Sequence, residues 1–219
     1  MHPYFQMMCE NSKNMYNTTN FYIRQVYTAI KSDKELHRLQ KEVMDTLVNH
    51  IDTMNKVQRM AYEKRVEKEL KKPVEKQIKV TCNLFSLPDS SSPYVDYNYL
   101  DSLFKLMKQN DYLSLPVQSS QAVMKTVFKN WKSFFASLKD YKINPSKYTG
   151  KPRIPRYSRA TLKEVEFTNQ DCVMKEQKYL KFPKTKEKLN IGKLGCTPNK
   201  LKCVRVIPKY NQFVVELVF

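Results

Sequence analysis

Gln118, Gln121, Lys125, Lys129 and Lys132 advance in steps of three or four residues through one stretch of the chain. Glutamine can pair bidentately with adenine, and lysines beside it can hold phosphate. The chemistry on offer is recognition of a polyanion, with no bond made or broken. A second group follows. Tyr141–Lys163 carries seven basic residues, Lys142, Lys147, Lys151, Arg153, Arg156, Arg159 and Lys163, and no acidic one. Gly150, Pro152 and Pro155 make this an extended, stiff loop, with Tyr148 and Tyr157 interleaved among the charges. So many uncompensated cations repel one another until an anion arrives, which favours phosphate contact over a merely solvated loop.

Composition agrees with these two groups. The chain has 219 residues, with 39 Lys+Arg against 21 Asp+Glu and a net charge of +18. That balance points to nucleic acid as partner ahead of a membrane surface or an acidic protein. No apolar run is long enough to span a bilayer and no signal-peptide pattern opens the chain, so a cytoplasmic protein is expected. With 3 glycines there is no Gly-rich phosphate loop, while 14 Tyr and 11 Phe supply flat faces for bases as well as for a core. Cys9, Cys82, Cys172, Cys196 and Cys203 form no CxxC, and His2, His37 and His50 sit at no ligand spacing. They read as reduced cysteines, with no metal site and no cofactor.

The elements that must position these groups follow from periodicity. In Leu113–Asp140, Met124, Val127/Phe128, Trp131, Phe134/Phe135 and Leu138 make one apolar stripe of a long helix. Ser114 is placed to cap it and Pro116 to sit in its first turn. A core helix with a solvated face would explain the stripe by itself. Phe5, Met8, Met15, Tyr16, Phe21/Tyr22 and Val26 mark an earlier helix from about Tyr4 to Tyr27. Residues 32–77 predict a long helix or helical hairpin stopped by Pro73, and 94–109 a short helix. After Glu164 the period changes to that of short strands, with a hairpin turn at Lys209–Gln212. The fold class is therefore α+β: helices over 1–140, a basic loop at 141–163, and a small antiparallel β-barrel or sheet over 164–219.

Four ordered segments, CENSKNMYNTTNFYIRQVY, LPVQSSQAVMKTVFKNWKSFF, NPSKYTGKPRIPRY and EFTNQD, closely resemble the N-terminal half of the TnpB (OrfB) family. These are transposon-encoded, RNA-guided DNA endonucleases related to type V CRISPR effectors. The resemblance implies a recognition lobe, with a helix-turn-helix-like pair and a helical insertion at 32–77, followed by a wedge domain. It implies guide RNA and double-stranded DNA as partners. Gln121, Thr168 and Asn169 match positions lying near the transposon-adjacent motif, with Gln118, Ser119 and Lys125 beside them. Lys13 and Arg24 on the first helix, with Lys147, Lys151, Arg153, Arg156 and Arg159, would hold nucleic-acid backbone.

The family's usual opening strand, its three RuvC carboxylates that hold two metal ions, and its zinc ribbon have no counterpart in this sequence. The expectation is that this chain alone has no catalytic residues and no nuclease activity. Two other readings stand beside this one. One is an endonuclease that is truncated or completed by a separate RuvC half. The other is a protein-interaction module docking through 32–77.

Overall fold

The computed structural model describes residues 1–192 and 201–219, so Cys196 lies outside the described residues. The chain is α+β, with helices first and small antiparallel sheets at the C-terminal end. Among the described residues the order is α1 (His2–Ile30), α2 (Arg38–Leu70), α3 (Tyr97–Leu106), α4 (Asn110–Ser114) and α5 (Val117–Ile143), then six strands. Two compact units result: 1–21 with 108–219, and 22–107. This division cuts through the helical region expected over 1–140, and it assigns the two ends of α1 to different units.

In the first unit, β1 (Val165–Thr168), β5 (Cys203–Lys209) and β6 (Gln212–Val218) form one antiparallel sheet in the order β1-β5-β6. A second sheet pairs β2 (Val173–Lys175), β3 (Tyr179–Lys181) and β4 (Lys188–Asn190) in sequence order. Of the barrel and sheet alternatives, the sheet form is adopted; the described strands close no barrel. The β5–β6 turn is the expected one, with Lys209 paired to Gln212. Its first turn residue, Tyr210, takes φ of 55°, the left-handed region a tight hairpin requires.

Strand alternation sorts the faces. Val204 and Val206 go inward while Arg205 stays out, flanked in register by Glu166 on β1 and Glu216 on β6. Beneath the sheets Tyr4, Phe5, Phe167 and Phe182 pack with ring centroids 5.2–6.5 Å apart. Burial pushes the thiol pKa of Cys9 and of Cys172 up to about 12, so both are chemically quiet core residues.

The α5 stripe folds as its spacing predicts: Met124, Val127 and Trp131 are fully buried, and Phe128 and Phe134 nearly so. The start of α5 differs from expectation. Pro116 stands at the cap position, and Ser114 does not cap α5. Ser114 ends α4, where its hydroxyl donates to the Asp111 carbonyl at 2.8 Å. The extra turn of α4 takes it because Gln109 caps that turn through Tyr112 N–H.

In the second unit 32–77 holds a single α-helix followed by a 3-10 turn at Val74–Lys76, not a helical hairpin. His37 and Gln40 cap α2 reciprocally. Val43, Leu47 and Met54 are buried, and Tyr99, Leu100, Leu103 and Phe104 give α3 its buried face.

Trp131 is the largest fully buried side chain of the first unit. Trp131→Ala should lower stability by about 3–5 kcal/mol, read as a fall in the urea midpoint at unchanged slope.

Candidate nucleic-acid interface

The basic loop is an irregular extended strap held by its main chain. Asn17 of α1 binds Ser158 twice: its amide donates to the Ser158 carbonyl at 3.2 Å and accepts from the Ser158 N–H at 2.8 Å. One turn further, Asn20 donates to the carbonyls of Pro155 and Arg156 at 3.3 and 3.1 Å. Asn20 is fully buried, and its oxygen accepts the Trp131 indole N–H at 2.9 Å. A buried polar group is stable only when bonded, and here three bonds satisfy the amide. Because the anchors grip backbone, the side chains of Arg153, Arg156 and Arg159 stay exposed. None of the three makes an ion pair with a described residue. Lys151 is exposed as well.

Lys147 departs from the expectation of an uncompensated charge. It lies in a 3_10 turn after α5 and pairs with Asp140 at 3.0 Å. Asp140 also accepts from the Tyr148 hydroxyl at 2.6 Å and the Asn144 amide at 3.0 Å. These donors hold its carboxyl well below the usual carboxylate range. A carboxyl depressed in the fold stabilises above its unfolded pKa, near 3.9, and loses that contribution as pH falls through the folded value. The anchor is therefore fully formed at neutral pH.

A second cluster gathers at the α5 N-terminus. The Thr168 hydroxyl donates to the Gln118 side-chain oxygen, whose own amide donates to Gln170. Thr168 also lies 3.4 Å from Asp171, whose carboxyl pKa is raised by burial. The structure thus joins Gln118 and Thr168 directly. Asn169 is exposed and its main-chain N–H donates to the Lys202 carbonyl at 3.1 Å. Gln121 is half-buried one turn along from Gln118, with its amide 3.5 Å from the Tyr112 hydroxyl. Lys125 is exposed a further turn on.

Ser119 leaves the contact set. It is fully buried, and its hydroxyl donates to the Glu166 carbonyl at 2.6 Å, bolting α5 to β1. Lys13 is half-buried in the first unit, and Arg24 belongs to the second unit. Gln170 was not singled out in the sequence although it directly follows Thr168 and Asn169. Lys184 was also missed. It donates to the Leu113 and Leu115 carbonyls at 2.7 and 3.1 Å, and burial lowers its pKa.

A cavity of about 280 Å³ opens among α1, α5, β1 and β5, lined by Tyr16, Lys125, Lys163 and Arg205 among others. Comparison of the chain with family models, curated proteins and solved structures finds no match. Among the described residues no three His, Cys, Asp or Glu side chains gather as a metal site would need, and no helix is long and apolar enough to cross a membrane.

Asn17→Ala removes both bonds to Ser158 while leaving Asn20 in place. It should raise limited trypsin cleavage after Arg153, Arg156 and Arg159 about tenfold relative to wild type, because the strap opens more often. Mass spectrometry of early digestion products checks this.

Proposed function

We propose that the protein binds nucleic acid as the recognition-plus-wedge half of a TnpB-like transposon protein. It grips guide RNA through phosphate contacts and reads a short motif in duplex DNA. The observation that carries this reading is the strap. Its backbone is fixed by two asparagines, and three arginines stand exposed along it without ion-pair partners among the described residues. Fixing cations before the ligand arrives lowers the ordering cost of binding. The net charge of +18 adds a field that attracts any polyanion.

Within this reading the strap and Lys151 hold phosphates, which positions the strand but carries no sequence information. Sequence is read at the other end of α5. Gln121, Thr168 and Asn169 are the base-reading groups, and Lys125 sits beside them as a further phosphate contact. Gln118 and Gln170 hold Thr168 in place. Ser119 supports the same junction from inside. The four sequence segments resembling the family support the assignment to TnpB. They do so by residue pattern and order, in the absence of any wider match. The chemistry proposed for this chain is binding.

Replacing Arg153, Arg156 and Arg159 together by Ala should weaken RNA binding and lower the slope of log K against log salt by about two for single strands. Gel shifts across a salt series measure it, and an unchanged slope removes the strap from the interface. Gln121→Ala should reduce discrimination between duplexes of different sequence by about 1–3 kcal/mol while leaving the salt slope as it is. Competition between randomised duplexes reads that difference.

A further inference from the structure

We propose that the cavity between α1, α5 and the β1–β5 strand pair is a binding site for one unstacked guanine base. The volume, about 280 Å³, falls just below the range of about 300–1,000 Å³ typical of small-molecule pockets, which suits a single base. Its walls carry both signs of charge. Lys125, Lys163 and Arg205 bring donors, while Glu164 and Glu166 bring carboxylates that only accept, Glu166 being already paired with Arg205. Simple phosphate would be repelled by the carboxylates, and a plain amine by the cations. A ligand with two adjacent donors on one edge and acceptors on another satisfies both. Among the common bases guanine alone has that pattern. Its N1–H and N2–H2 suit one carboxylate, and its O6 and N7 suit lysine or arginine.

The walls are set before any ligand enters. The Lys163 main-chain N–H donates to the Cys9 carbonyl at 3.1 Å, and its ammonium sits 4.5 Å from the Tyr16 ring centroid. Arg205 is held by Glu166 at 3.2 Å. The Glu164 carbonyl takes the Ser12 hydroxyl at 2.7 Å, which fixes the backbone of this exposed residue. Val123 gives the floor an apolar surface for the base plane. The site rests on the nucleic-acid reading above only for the source of the base, a strand rather than a free nucleotide.

Calorimetry on the full chain with GMP, AMP, CMP and UMP tests the pocket. GMP should bind at least about tenfold tighter than the other three. Glu164→Gln should level that preference. Thr126→Trp, which fills the cavity from an exposed rim position, should abolish GMP binding with helical circular dichroism unchanged. Equal binding of the four nucleotides, or GMP binding untouched by Thr126→Trp, overturns the proposal. Oligouridylates with and without one guanosine separate the sources. A guanosine preference lost in Thr126→Trp assigns the strand, and a preference confined to GMP assigns the free nucleotide. RNA binding without any guanine preference overturns the pocket and leaves the function above standing. Guanine preference without RNA binding overturns that function and keeps the pocket.

Discussion

One buried amide holds the candidate interface together. Asn20 has a single acceptor oxygen, which takes the Trp131 indole N–H, and its two donors go to the carbonyls of Pro155 and Arg156. Each bond adds only about 1 kcal/mol net, but an amide or indole left unbonded at zero exposure would cost about 1–3 kcal/mol. The arrangement is therefore nearly all-or-none. If the strap sits elsewhere, Asn20 has no partners for its donors. Trp131 is itself the centre of the α5 stripe, so the packing that folds the helix also fixes the amide that holds the strap.

The choice of anchor has an electrostatic consequence. Aspartate at position 17 or 20 could accept the Ser158 or Trp131 N–H but could not donate to the carbonyls of Pro155, Arg156 and Ser158, and it would also have placed a negative charge beside three arginines and cancelled part of their field. Neutral amides fix the backbone and leave the cations uncompensated. Where the strap leaves α5 the opposite choice is made. Asp140 gathers Lys147, Tyr148 and Asn144, and there the positive charge is neutralised. Both side chains of that ion pair are substantially exposed, so it adds little to stability, and its geometry serves to start the strap in a fixed direction.

Local periodicity made part of this legible. The α5 stripe, the change to strands after Glu164 and the Lys209–Gln212 hairpin all depend on neighbours within a few residues and stand as read, and before Pro73 the long helix is formed in place of the hairpin alternative. The pins did not show in the sequence. Asn17 and Asn20 meet partners more than 130 residues away, and on α1 alone they look like any solvated amides. Ser119 failed for a related reason: a serine beside two glutamines resembles part of a polar face until β1 arrives and takes its hydroxyl. Ser114 had a competing local use, since the extra turn of α4 claimed it. The division into two units depends on which parts of the chain touch, and composition carries no record of that.

In the proposed function, α5 also works as a ruler. Gln118 and Trp131 are thirteen residues apart, roughly 20 Å along a helix rising about 1.5 Å per residue. A backbone grip set by the strap would then fix the register in which the far end of the helix meets base edges, since phosphate contacts position and base contacts specify. At that far end the groups are unequal. Both ends of the Gln118 amide are already engaged, with Thr168 and Gln170, so a base could use it only by breaking bonds the fold depends on. Asn169 is tied through its main chain, and its side chain is exposed on the same turn. Readout at least cost to the fold therefore falls to Asn169 first, with Gln118 acting as the brace that keeps it in place.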